Sequence, residues 1–150
     1  MKALVKTSRG PGNLEIREVP EPRCGSDEVK VEVAYCGVCG TDIHVLKDEF
    51  PTTPPVIIGH EFSGTVVEAG SAVKKIQVGD RIVAENVCLN CGGDCYLCRT
   101  GHYAICVQRG AQGLNADGAF ARYIVCKEKN VYRFPSNIGF QEAALAEPLV

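Results

Sequence analysis

Apolar and polar positions alternate in short runs along the first half of the chain. Lys2 to Thr7, Leu14 to Val19 and Glu28 to Tyr35 each carry the period of a β-strand. In the third run Val29, Val31 and Val33 fall on one face, with Glu28, Lys30 and Glu32 on the other. Pro20, Pro22 and the stretch Cys24-Gly25-Ser26-Asp27 break these runs with turn chemistry. Further strands are predicted over Phe62 to Ala69, Arg81 to Ala84, Ala119 to Cys126 and Asn130 to Phe134. Helical signals are few. Thr41 to Lys47 can make one or two turns, and Gln141 to Ala146 form a second short helix that Ser136-Asn137 would cap and that stops before Pro148. Many short strands with glycine and proline punctuation predict a mainly β domain, a barrel or sandwich, with few helices.

Composition changes this picture little. The chain has 150 residues, 45% hydrophobic and 23% charged, enough for one folded core. Sixteen Lys plus Arg against eighteen Asp plus Glu leave a formal charge of −2. There is no basic block to attract nucleic acid, no apolar run of membrane-spanning length, and no apolar core of a secretory leader at the start. The expectation is a cytoplasmic protein that partners neither nucleic acid nor membrane.

Cysteine changes it more. Nine cysteines in such a chain argue for metal rather than a disulfide framework. Cys95 and Cys98 are separated by two residues, a spacing at which two thiolates chelate one ion from a tight turn. Cys91 and Cys106 complete a four-thiolate set, and Gly92, Gly93 and Gly101 give the turn backbone freedom. Cys88 with Cys91, Cys95 and Cys98 is a rival set. Either way the loop at 88–106 reads as a closed, structural zinc site.

A second group of ligand types is scattered: Cys39, His60, Glu61 and Glu147. Thiolate, imidazole and carboxylate are the ligands of catalytic zinc with an open position, yet spacing alone does not join them. Iron, cobalt or manganese also accept such a mixed set, with zinc the best fit. No Gly-x-Gly-x-x-Gly follows a strand; Gly110, Gly113 and Gly118 lack that spacing.

The flanks are more specific. Cys36-Gly37-Val38-Cys39-Gly40-Thr41-Asp42-Ile43-His44, then Gly59-His60-Glu61-Phe62-Ser63-Gly64, then Val78-Gly79-Asp80-Arg81 and a cysteine loop, resemble the zinc-containing medium-chain alcohol dehydrogenases along essentially the whole chain. Ala146-Glu147-Pro148-Leu149 resembles the polyol (sorbitol-type) and threonine dehydrogenase branch. The resemblance implies a GroES-like β-barrel over residues 1–150, the catalytic domain. It implies Cys39 and His60 as catalytic-zinc ligands, with Glu147 the third, directly or through water, and Glu61 able to exchange onto the metal. Thr41 would take the alcohol proton, His44 would pass it toward solvent, and Asp42 would orient a ligand imidazole. The implied reaction is oxidation of a secondary alcohol or polyol, of sorbitol, butanediol or threonine type, by hydride transfer to NAD or NADP. Dimers or tetramers are implied for the full-length enzyme.

The chain departs from the family in two ways. Cys91-Gly92-Gly93-Asp94-Cys95 holds one residue more than the usual loop, which leaves Cys91 against Cys88 open with Cys91 preferred. The Rossmann nucleotide-binding domain that follows in the family is also not within these 150 residues. The alternative expectation is therefore a truncated zinc-binding barrel without independent catalysis. Leu145, Leu149 and Val150 would then lie on the face that normally meets the nucleotide domain.

Overall fold

The computed structural model describes residues 1–89 and 91–149; of Cys88 and Leu89 only the backbone is described. Among the described residues ten strands dominate: β1 (Lys2–Lys6), β2 (Leu14–Glu18), β3 (Glu28–Gly37), β4 (Val56–Ile57), β5 (Glu61–Ala69), β6 (Arg81–Ala84), β7 (Val87–Leu89), β8 (Arg109–Ala111), β9 (Tyr123–Lys127) and β10 (Val131–Arg133). The helices are short: α1 (Gly40–Lys47), α2 (Tyr96–Arg99) and α3 (Phe140–Ala143). The mainly β expectation holds.

The centre is an antiparallel five-stranded sheet in the order β10-β6-β5-β3-β9. Its inner face is set directly by the alternation in β3. Val29 and Val31 are fully buried and pack with Phe62, Val66, Ile82, Ile124 and Val131, while Val33 packs at the edge of the cluster. Irregular pairing at Lys30/Val31 and Val33/Tyr35 marks bulges in the β3–β5 ladder, and bulges bend a strand and re-aim the residues beyond them. The strand β3 ends at Gly37, two residues before Cys39.

A smaller sheet, β2-β1-β4, carries its own apolar cluster of Ala3, Val5 and Ile57. It joins the centre through the Ala3–Ala121 bridge and the hydrogen bond from the Leu4 amide to the Phe120 carbonyl. The hairpin β7-β8 stands apart as a third sheet and forms the base of the cysteine loop.

Two predicted elements are corrected. The strand expected over Ala119 to Cys126 is ordered as a strand only from Tyr123, because Gly118, Ala119 and Phe120 spend their amides on Ile57, Gly59 and Ile58 carbonyls. The last helix begins at Phe140, with Gly139 and not Ser136-Asn137 at its cap. Arg81 explains the shift. Its guanidinium donates to the carbonyls of Ser136 and Ile138 and stacks on the Phe134 and Phe140 rings, which fixes residues 134–139 as a turn.

Candidate metal centres

The cysteine loop rises from β7-β8. Cys95 caps α2 and Cys98 lies within it, so one short turn carries two of the thiols, and Cys106 comes directly after a 3-10 turn at Tyr103–Ile105. Gly92, Gly93 and Gly101 all adopt positive φ, as such a tight loop requires. The ligand atoms of Cys91, Cys95, Cys98 and Cys106 lie within 4.8 Å of one another. Cys91 Sγ is 3.5 Å from Cys98 Sγ and 3.7 Å from Cys106 Sγ, and Cys95 Sγ is 3.7 Å from Cys106 Sγ. These are not disulfides, whose sulfurs lie about 2.05 Å apart. A tetrahedral ion with metal–sulfur bonds of about 2.3 Å separates its sulfurs by about 3.8 Å, so the cage fits zinc.

Electrostatics favour a cation among these sulfurs. The Gly93 and Cys95 amides draw the Cys91 thiol down to about 6, whereas burial and the neighbouring sulfurs push Cys98 up. Four sulfurs this close cannot all ionise without a positive charge among them. The Cys88 backbone pairs with Gly110 at the hairpin base, and its side chain lies outside the described residues.

The second centre is assembled from two elements distant in the chain. Cys39 is the N-cap of α1. His60 and Glu61 sit where the chain enters β5, and both are buried. Asp42, in the first turn of α1, ties these elements together. Its carboxylate accepts the Cys39 amide at 2.9 Å and is also met by the Gly59 amide. Burial pushes the Asp42 carboxyl up, against the pull of those amides and of His60. Gly59 has φ +91°, and a Cβ there would meet the Phe120 ring at 2.8 Å, so glycine sets the approach to His60. At Gly37 a Cβ would lie 2.6 Å from Glu61 Oε2, so the missing side chain makes room for that carboxylate.

Cys39, His60 and Glu61 bring their ligand atoms within 4.8 Å of one another. His60 Nδ1 is buried without a hydrogen-bond partner and lies 3.9 Å from Asp42 Oδ1. A thiol, an imidazole and a carboxylate brought together in this way are the donor set of a metal site with three protein ligands. Cys36 is nearby but differs in character: burial, with Asp42 and Glu61 adding to it, pushes its thiol up to about 12.

The remaining sequence-predicted residues surround this cluster. Thr41 Oγ1 is 3.6 Å from Cys39 Sγ. His44 is exposed, with Nδ1 2.8 Å from Glu49 Oε2. Glu147 opens the 3-10 turn Glu147–Leu149 and is not one of the clustered ligands. It is nevertheless close: burial pushes its carboxyl up, His60 pulls it down, and Glu61 and Glu85 push it up further. Leu145 and Leu149 are exposed, and Val150 lies outside the described residues. A cavity of about 1030 Å³ is lined by Val5, Val19, Ile57, Gln112 and Lys127 and includes none of Cys39, His60 or Glu61.

Sequence reasoning missed two residues here. Gly37 makes room for Glu61, and the Asn86 amide donates to Glu147 Oε1 at 2.8 Å. Gly37 stands within the Cys36-to-His44 motif, but nothing in the sequence ties it to Glu61, 24 positions away, or Asn86 to Glu147, 61 positions away.

The alcohol dehydrogenase GroES-like domain family matches residues 25–136. A sorbitol dehydrogenase of Halalkalibacterium halodurans is 42% identical over 149 residues, covering 99% of this chain and 43% of that protein. An L-threonine 3-dehydrogenase of Saccharopolyspora erythraea is 43% identical over 154 residues, again 99% and 43%. A crystal structure described as a zinc-binding dehydrogenase of Sinorhizobium meliloti, bound to NADP, superposes with a TM-score of 0.92 at 42% identity, covering 99% of this chain and 42% of that one. The chain thus spans less than half the length of the relatives it matches.

Proposed function

The chain belongs to the family of alcohol dehydrogenase GroES-like domains, and from that premise we propose that residues 1–150 are the zinc-carrying catalytic domain of a dehydrogenase. The enzyme oxidises a secondary alcohol of the sorbitol, butanediol or threonine type by hydride transfer to NAD or NADP. The observation that carries the reading is the convergence of the Cys39, His60 and Glu61 ligand atoms to within 4.8 Å of one another. Cys39, His60 and Glu61 hold the catalytic zinc, with Glu147 an outer carboxylate beside it. Cys91, Cys95, Cys98 and Cys106 hold a structural zinc with no position left for substrate.

Zinc bound at the mixed-ligand site supplies Lewis acidity, which lowers the pKa of a substrate hydroxyl and favours loss of hydride from the adjoining carbon. The chain's own residues do the rest. Asp42 holds the first turn of α1 against Gly59, which fixes Cys39 relative to His60. Thr41 Oγ1, next to the Cys39 sulfur, takes the proton of the substrate hydroxyl as it passes its own proton onward. His44 lies one turn on along α1, on the same side and open to solvent, and carries the proton away. No side chain here accepts hydride, so the nicotinamide ring must do so.

The test uses the chain joined to a relative's nucleotide-binding domain and assayed with sorbitol, 2,3-butanediol and L-threonine. Cys39→Ser is expected to abolish turnover of whichever alcohol is oxidised; undiminished turnover would overturn the reading. A second reading, a zinc-binding barrel without independent catalysis, is favoured by the lack of a dinucleotide fingerprint within these residues. Oxidation of a diol by the 150-residue chain alone, at an ordinary rate, would eliminate it.

A further inference from the structure

Two carboxylates compete for one place beside Cys39 and His60, and the fold treats them differently. Glu61 is in the cluster, cleared for it by Gly37. Glu147 stands outside, on a turn that packs against β5. A cation at the cluster would draw its carboxylate inward. The 2.8 Å hydrogen bond from Asn86 Nδ2 to Glu147 Oε1 opposes that movement.

Asn86 is well placed to resist. Its carbonyl accepts the Gln112 amide at 2.9 Å, and the preceding residue, Glu85, donates its amide to the Asn130 carbonyl at 2.8 Å. The strand β7 begins at the next residue and pairs with β8. The backbone that carries the Asn86 amide is therefore fixed on both sides. By contrast, Glu147 sits at the start of a three-residue 3-10 turn, reached from a four-residue helix through the Leu145-to-Glu142 and Ala146-to-Ala143 backbone bonds.

We propose that Asn86 is a positioning residue that holds Glu147 off the Cys39–His60–Glu61 site, so that the fourth position there stays open to an exogenous ligand. The inference rests on the reading of that cluster as a metal site. A site with three protein ligands accepts substrate, whereas a fourth protein ligand would close it as the thiolate cage is closed. Residues that hydrogen-bond the ligand shell commonly change metal affinity by about tenfold or more.

Cobalt(II) added to the zinc-depleted chain tests this, with Cys39→Ser as the blank that isolates the mixed-ligand signal. In the unsubstituted chain azide is expected to perturb the visible cobalt spectrum. In Asn86→Ala cobalt is expected to bind about tenfold tighter, and the azide response is expected to vanish, because Glu147 now fills the position. In the Glu147→Gln background, adding Asn86→Ala is expected to change neither quantity. An Asn86→Ala protein with unchanged affinity and azide response overturns the proposal, as does the same change in the Glu147→Gln background. Should Asn86→Ala fail to fold, the isosteric Asn86→Asp, which loses the donor, is expected to shift both quantities the same way. No cobalt signal above the Cys39→Ser blank in the unsubstituted chain would instead defeat the metal reading itself.

Discussion

The two candidate centres are built by opposite means. The thiolate cage is local: its four sulfurs come from sixteen consecutive residues on one hairpin loop, and the Cys91 sulfur is met by the Gly93 and Cys95 amides and by the sulfurs of Cys98 and Cys106. The mixed-ligand cluster is distributed: Cys39 comes from a helix cap, His60 and Glu61 from the start of β5, and Glu147 waits on a separate turn. The cage is saturated by its own ligands and holds its loop together. The cluster is held together by the fold and supplies three mixed ligand types in place of four thiols. A closed site suits stability and an open one suits chemistry.

The largest effect is expected at the cage. Cys98→Ser is expected to remove one metal ion and lower stability by about 3 kcal/mol or more, a fall in Tm of about 10 °C, because binding free energy there is folding free energy. Melting curves with and without chelator check this, and chelator should no longer shift the variant. Gly37→Ala should do the reverse. By displacing Glu61 Oε2 it is expected to weaken cobalt binding at the mixed-ligand site about tenfold while the cage keeps its metal. A cage that lost metal in Gly37→Ala would mean that the two centres are not separately built.

Smaller changes probe the scaffold between them. Ser63 is fully buried and donates to the Phe140 carbonyl at 2.5 Å, linking β5 to the segment that leads to Glu147. Ser63→Ala is expected to cost about 1 kcal/mol in denaturant unfolding by removing that hydrogen bond, the Phe140 carbonyl keeping the Ala144 amide. The smallest effect is expected at Glu128, whose carboxylate gathers the amides of Lys74, Lys75 and Ile76 and is held below the usual glutamate range. A depressed carboxyl pKa contributes stability above the unfolded value that is lost as pH falls through the folded one. Glu128→Gln should therefore flatten the acid side of the stability profile and leave metal content at both centres unchanged.

Legibility in the sequence divides along the same line. The cage was legible because its chemistry is written in consecutive residues with a metal-binding spacing. The face of β3 was legible because Val29, Val31 and Val33 repeat with the period of a strand. The short strands β4, β7 and β8 were not anticipated, since two or three residues carry no period. Nor was burial of Lys6, whose Nζ spends its hydrogen bonds on the Gly10 and Gly12 carbonyls of the adjoining turn. At the mixed-ligand site residue types and flanks pointed to Cys39, His60, Glu61 and Glu147 alike. That Glu61 lies inside the cluster and Glu147 outside depends on Gly37 and Asn86, contacts made only once the sheet has closed.

The most direct measurement is metal per chain by elemental analysis, on the unsubstituted protein, Cys39→Ser and Cys98→Ser. Two zinc ions are expected, then one with an unchanged melting temperature, then one with a lowered melting temperature. A single zinc that Cys39→Ser leaves in place and Cys98→Ser removes would contradict the account, because Cys39, His60 and Glu61 would then hold no metal in this chain.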